Sequence, residues 1–266
     1  NFTNTNLFLM KIIKAKKTKV SDIDFQNLDF GSVFSDHMFT CSFSDGKWDD
    51  GIIEPYKPIL MDPSARTLHY GQACFEGMKA YKDNNGKPWL FRPIENYKRI
   101  VKSCKRLAMP EIPEKIFMDG VSKLVDLDKE WIKPGIGNSL YIRPFIFADQ
   151  PSINANEANQ YKFMIICAPA QLYYSGDMKV KIEKSFSRAA KGGVGYAKAA
   201  GNYAAQFYPT ILARDEGYQQ IIWTDSSNHE YIEEAGTMNL FFRINDTLIT
   251  PPTNDSILDG ITRKSL

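Results

Sequence analysis

A single lysine, Lys198, stands within a run of small residues, Gly192-Gly193-Val194-Gly195-Tyr196-Ala197-Lys198-Ala199-Ala200-Gly201-Asn202-Tyr203. A lysine amine can form a Schiff base with an aldehyde cofactor, and small neighbours let a flat ring approach the backbone. The plainer alternative is a flexible glycine loop with a solvated lysine. Further along, Tyr231-Ile232-Glu233-Glu234-Ala235-Gly236-Thr237-Met238-Asn239-Leu240 sets a carboxylate before a tight glycine turn and an apolar strand. Such a carboxylate could hold a pyridine nitrogen protonated, which makes the ring an electron sink. It could equally be an acidic loop end before a core strand. Asp259-Gly260-Ile261-Thr262-Arg263 reads as a turn opening a helix, with free backbone N–H groups suited to phosphate. An ordinary helix cap has the same appearance.

The elements that must position these groups are legible as hydrophobic periods. His37 to Phe43 alternates at period two before the turn Ser44-Asp45-Gly46-Lys47. A second hairpin joins Gly77–Tyr81 to Pro88–Phe91 through Asp83-Asn84-Asn85-Gly86. After Pro93, residues Ile94, Tyr97, Ile100, Val101, Cys104 and Leu107 recur at helical spacing. Phe117, Val121, Leu124 and Val125 mark another amphipathic helix, and strands return at Ser139–Phe147 and Tyr161–Ala168. Around Leu172 to Asp177 the pattern breaks. A helix is expected near Tyr203 to Arg214, with strands at Gln219–Thr224 and Thr237–Ile244. The fold class is therefore mixed α/β (α+β) in two domains: 1–170, a linker at 171–178, and 179–266.

Composition bounds the function. The chain has 266 residues, 43% hydrophobic and 24% charged, with a net charge of +2. That balance makes no electrostatic case for nucleic acid or an anionic membrane, and no apolar run reaches the length of a membrane span. Cys41, Cys74, Cys104 and Cys167 are far apart, form no CxxC pair and cluster with none of the three histidines. No metal site is expected, and reduced thiols point to a cytoplasmic setting.

The three reactive segments occur with His69-Tyr70-Gly71-Gln72-Ala73-Cys74-Phe75-Glu76-Gly77-Met78-Lys79-Ala80, Leu90-Phe91-Arg92-Pro93 and Leu140-Tyr141-Ile142-Arg143-Pro144. In this order and spacing the chain resembles the branched-chain amino acid aminotransferases, which are fold type IV pyridoxal-phosphate enzymes. The resemblance runs from about Phe30 to the last residue, and several ordered motifs are far more specific than one. It implies a smaller N-terminal α/β domain and a larger, pseudo-barrel C-terminal domain, with pyridoxal 5'-phosphate between them.

The resemblance also implies residue roles. Lys198 would hold the cofactor and shuttle the proton between the amino acid Cα and the cofactor C4′. Tyr203 would bond the ring phenolate oxygen, and Glu234, rather than its neighbour Glu233, the pyridine nitrogen. Arg99 and the backbone of Ile261 and Thr262 would take the phosphate. Phe30, Tyr70, Phe75, Tyr141, Tyr173 and Thr237 would line the substrate pocket, and Arg143 with Tyr70 would receive the side-chain carboxylate of glutamate. The reaction implied is transfer of the amino group of L-leucine, L-isoleucine or L-valine to 2-oxoglutarate. A homodimer is implied, in which the loop Pro151–Asn156 reaches the second subunit. Family members continue beyond the position of Leu266, so the C-terminal domain is expected to be incomplete. Two rivals share the fold type, D-amino acid aminotransferase and aminodeoxychorismate lyase. The Thr237-Met238-Asn239 triplet and the setting of Arg143 argue against both. A truncated, non-catalytic cofactor-binding protein is the alternative from another class. Joint retention of Lys198, Glu234, Tyr203 and Arg99 argues against it.

Overall fold

The fold is described from a computed structural model, for residues 10–25, 27–171 and 176–266. The chain divides into two compact units that are not contiguous in sequence. The first holds residues 1–70, 76–97 and 110–173; the second holds 71–75, 98–109 and 174–266.

The first unit opens with strands β1 (Lys11–Ile12), β2 (His37–Ser44), β3 (Lys47–Trp48) and β4 (Ile52–Pro55), followed by the short helix α1 (Arg66–Tyr70). Strand β5 (Ala73–Phe75) belongs to the second unit. The first unit resumes with the hairpin β6 (Met78–Lys82) and β7 (Pro88–Leu90). Helix α2 (Pro93–Arg106) has its first residues in this unit and the rest in the second. Helix α3 (Glu114–Leu127) and the long strands β8 (Ser139–Ala148) and β9 (Tyr161–Ala170) complete it. The sheet runs β1-β4-β2-β9-β8-β6-β7, with β3 on β2. Its central pairs are antiparallel, Phe39 opposite Ile165 and Arg143 opposite Ile166. Both hairpins expected from the alternating runs are present.

This sheet buries one aromatic cluster. Phe39, Phe117 and Phe163 are fully buried, and Phe163 lies 5.8 Å from Phe39 and 6.0 Å from Phe117 between ring centroids. The helical period of Phe117, Val121, Leu124 and Val125 is the buried face of α3. A second anchor is polar. His37 Nδ1 lies 2.6 Å from Asp128 Oδ1, while Nε2 accepts the Ala15 N–H at 2.8 Å. With Nε2 accepting, Nδ1 carries the proton, so one neutral tautomer satisfies both contacts.

In the second unit, β10 (Val180–Ile182) pairs in parallel with β11 (Gln220–Thr224), and β11 pairs antiparallel with β12 (Ile232–Ala235). Every residue of β11 is buried, as the central strand of its sheet requires, with Ile221, Ile222 and Trp223 between the polar ends Gln220 and Thr224. Parallel neighbours need a long crossover. Here it is residues 183–219, which carry the glycine-rich segment, Lys198, and the helices α4 (Gly201–Ala204) and α5 (Phe207–Asp215). The single helix expected from Tyr203 to Arg214 is thus two, interrupted at Ala205 and Gln206. Trp223, Ile221, Ala213 and Tyr218 form the cluster between α5 and β11. The hairpin β13 (Phe242–Ile244) and β14 (Thr247–Ile249) follows, then α6 (Ile261–Ser265). The strand expected over Thr237–Ile244 is therefore confined to Phe242–Ile244. Residues 236–238 turn instead, with the Ala235 N–H donating to Met238 O at 3.0 Å.

Phe163 is the common neighbour of the aromatic cluster, so Phe163→Ala should cost about 3–5 kcal/mol of stability. Denaturant titration should show a lower midpoint with an unchanged slope. A loss near zero would mean that the cluster does not hold the sheet to α3.

Candidate active site

The backbone around Lys198 is fixed on both sides. Its N–H donates to Ser103 Oγ at 2.9 Å, and its carbonyl accepts the Phe75 N–H at 3.1 Å. The Ala200 N–H donates to Ala73 O at 3.0 Å, so β5 runs against the lysine segment. The Ser103 hydroxyl in turn donates to Arg99 O at 3.0 Å. One buried serine therefore links the lysine to the helix that carries Arg99.

The side chains gather over this frame. Lys198 Nζ donates to Tyr203 Oη at 2.8 Å. The Phe75 ring lies 4.8 Å from the Tyr203 ring, and Lys198 Nζ is 4.9 Å from the Phe75 centroid. Asn202, buried in α4, donates to Val194 O and Ala197 O at 2.9 Å each, closing the glycine-rich turn onto the lysine. The glycines serve packing as well as openness. A Cβ on Gly195 would lie 2.5 Å from Ala189 Cβ and 2.7 Å from Ser256 O.

Glu234 is not in a loop before a turn but on strand β12, where it is 4% exposed. Its Oε1 forms an ion pair with Arg188, whose side chain is 6% exposed, and accepts the Leu258 N–H at 3.2 Å. Its Oε2 accepts from Asn239 Nδ2 at 3.2 Å, and the same nitrogen donates to Leu258 O at 2.8 Å. Burial pushes the Glu234 carboxyl up to about 7, although Arg188, the Leu258 N–H and Lys198 pull it down. Glu233 next to it is also raised by burial, with a Ser256 hydrogen bond and Arg188 opposing. The register shift between β11 and β12 lets two consecutive carboxylates face inward. Arg99 Nη1 donates to Asp259 O at 3.2 Å, directly before the Gly260 cap of α6. Ile261 is buried and Thr262 exposed at the start of that helix, and Thr237 is exposed in its turn.

Four further expected residues are described in the first unit. Phe30 and Tyr141 meet edge to face at 5.0 Å, and Arg143 Nη2 donates to Tyr141 Oη at 3.1 Å. Gly77 makes room for this tyrosine, because a Cβ there would stand 2.1 Å from Tyr141 Oη. The fourth is Tyr70. Its hydroxyl donates to Ile153 O, and Arg66 donates to Glu157 O, to Asn156 O at 3.3 Å and to Ser152 Oγ at 3.2 Å. These two side chains of α1 hold the loop at 151–157. Tyr173 lies outside the described residues.

Sequence reading missed Ser103, Arg188, Asn202 and Asn239. Ser103 stands four residues after Arg99 on the same helix, and Asn202 and Asn239 stand within the motifs of Lys198 and Glu234 with no role assigned; Arg188 left no signal.

A carboxyl whose value is higher folded than unfolded favours the folded state while protonated. For Glu234 that contribution is complete below its ordinary 4.5 and is lost as pH rises through about 7. The gap corresponds to about 3 kcal/mol. Without ligand, the protein should therefore lose about 3 kcal/mol more stability across this window than its Glu234→Gln variant. Parallel stability–pH curves would show that this carboxylate is ionised without penalty.

A family model described as amino-transferase class IV matches residues 73–266. The chain is 47% identical over 248 residues to a probable branched-chain-amino-acid aminotransferase of Staphylococcus epidermidis, covering 91% of this chain and 69% of that protein. It is 42% identical over 262 residues to branched-chain-amino-acid transaminase 1 of Bacillus subtilis, covering 96% and 74%. Among solved structures it resembles the branched-chain amino acid aminotransferase of Escherichia coli. There the TM-score is 0.66 at 28% identity, over 86% of this chain and 71% of that one. By sequence family and by structure, the chain belongs to the class IV aminotransferases and, within them, to the branched-chain-amino-acid aminotransferases.

Proposed function

We propose that this chain transfers the amino group of L-leucine, L-isoleucine or L-valine to 2-oxoglutarate, using pyridoxal 5'-phosphate. The observation that carries the reading is the set Lys198, Tyr203, Glu234 and Arg99 in one compact unit, in a chain of this family. The donor set suits the cofactor: an amine for its aldehyde, a phenol for its ring oxygen, a buried carboxylate for its ring nitrogen and a guanidinium for its phosphate. Bound pyridoxal phosphate supplies the aldehyde that the amine captures and a protonated ring that accepts electrons from the substrate Cα.

The residues divide this work. Lys198 Nζ would carry a proton from the substrate Cα to the cofactor C4′ in the first half-reaction and from C4′ to Cα in the second. Its neighbour Tyr203 holds the amine at 2.8 Å and keeps it aimed. Glu234 would accept the ring N–H as a carboxylate, with Arg188 opposing the rise that burial imposes on it. Arg99 holds a phosphate beside the backbone of Ile261 and Thr262. Phe75 supplies an apolar wall against the amine, which excludes water. Thr237 lies near the substrate α-carboxylate. Phe30 and Tyr141, which meet edge to face, would contribute aromatic surface to the substrate's side chain, and the family resemblance adds Tyr70 and Tyr173 to that role. Arg143 meets the distal carboxylate of glutamate, so one site serves an aliphatic and an acidic substrate in turn.

We also propose a cytoplasmic homodimer. Leu60, Leu68 and Ile153 of the first unit are exposed at 97%, 59% and 68%, and the loop at 151–157 is held in place by Arg66 and Tyr70. Apolar exposure of this kind suits a subunit contact. Light scattering on the active enzyme checks it, and a fully active monomer would overturn it.

The reading is tested by visible absorbance. The holoenzyme should bleach with L-leucine and recover with 2-oxoglutarate, whereas D-alanine should have no effect. Lys198→Ala should abolish turnover while leaving the fold intact; turnover comparable to wild type would remove Lys198 from its role. In single-turnover measurements, Arg143→Ala should slow the glutamate half-reaction about tenfold or more relative to the leucine one, as loss of a charge-assisted contact predicts. Equal losses would make Arg143 structural.

A further inference from the structure

We propose that Arg188 is a positioning residue for Glu234: it keeps that carboxylate ionised and aimed, and so acts on the cofactor through it. The inference rests on the reading that Glu234 meets the cofactor's ring nitrogen.

The geometry begins with two buried charges. The Arg188 side chain is 6% exposed and that of Glu234 5%. The guanidinium is a fixed charge, and pairing with it offsets the cost of burying the carboxylate at such depth. Arg188 Nη2 pairs with Glu234 Oε1 and also donates to Gly195 O at 3.1 Å and to Ser256 O. The guanidinium is thus held by two carbonyls from separate segments, which fixes its orientation before it reaches the carboxylate. Around the same carboxylate, Leu258 N–H and Asn239 Nδ2 are neutral donors. They direct lone pairs but bring no charge.

The charged groups acting on Glu234 are Arg188, Lys198 and Glu233, and Asp225 acts on Glu233 in turn. Glu233 opposes ionisation. Lys198 favours it, yet its amine is the group proposed to give and take protons, so its charge varies through the reaction. A guanidinium stays protonated throughout. Arg188 is therefore the constant charge facing Glu234 among the described residues. Burial lifts the carboxyl to about 7 with Arg188 in place. Without it, Glu234 would be a neutral acid at working pH and would not hold a ring nitrogen protonated.

The test uses full-length protein without cofactor and then with it. In difference infrared spectra of the cofactor-free protein, the Glu234 carboxylic band is the one that Glu234→Gln removes. Arg188→Gln, or Arg188→Met if the first fails to fold, should move its titration upward by about one pH unit or more, the usual effect of removing an adjacent opposite charge. Arg188→Lys should leave it near wild type. Pyridoxal-phosphate affinity above neutral pH should then fall in Arg188→Gln, but Arg188→Gln should add nothing to the loss already present in Glu234→Gln. An unmoved carboxylic band, or additive losses in the double variant, would overturn the role of Arg188 and leave the enzyme reading intact. A wild-type protein that binds no pyridoxal phosphate would overturn that reading, and this inference with it.

Discussion

A carboxylate that is 4% exposed on a sheet strand is the constraint around which the second unit is organised. Leaving Glu234 unpaired there would cost several kcal/mol. Three stretches of chain answer that cost: the crossover through Arg188, the loop before α6 through the Leu258 N–H, and the turn after β12 through Asn239. Each must be held in register for the carboxylate to be satisfied. The loop before α6 also accepts from Arg99, at Asp259 O, directly before the Gly260 cap of that helix. Glu234 is thus a folding requirement as well as the carboxylate proposed to meet the ring nitrogen, and its partners let so polar a cluster sit in the interior.

Lys198 obeys the opposite rule. Its backbone is pinned by Ser103 and Phe75, while the tip of its long side chain reaches Tyr203. The amine proposed to shuttle a proton thus ends a side chain whose backbone is fixed and whose tip Tyr203 aims. The parallel pairing of β10 and β11 is what makes this possible, because the crossover it demands is long enough to carry the lysine segment over the edge of β5. Topology and chemistry meet at that connection.

The legible part of this fold was local. Alternation over His37–Phe43 and helical spacing over Ile94–Leu107 and Phe117–Val125 correspond to β2, α2 and α3, since each is a period imposed by one buried face. The candidate site residues came from family resemblance, and of these Lys198, Tyr203 and Phe75 lie together in the fold. The contacts that hold them were not. Ser103 reaches across 95 positions to Lys198, and Arg188 across 46 to Glu234, and such pairs leave no period to read. The strand carrying Glu234 was hidden for a related reason: two consecutive acidic residues read as a loop until the buried guanidinium and Ser256 are known. The division of the chain is likewise non-local, since residues 71–75 and 98–109 pack with the second unit.

The remaining physical problem is how one site accepts both an aliphatic and an acidic side chain. Within the first unit, Arg143 lies 5.3 Å from the Tyr141 ring centroid and donates to its hydroxyl, and Phe30 meets that ring edge on. A phenol that accepts from a guanidinium orients it without neutralising it, because the phenol is uncharged. The stack also covers one face of the cation with an apolar ring. A leucine side chain placed there would meet ring surface, and a glutamate side chain would meet the charge of the same arginine. Gly77 is part of this arrangement, since any side chain at that position would displace the tyrosine hydroxyl on which the orientation depends. On the proposed role of Arg143, dual acceptance needs no movement of the backbone, only a cation whose apolar and polar sides point in different directions.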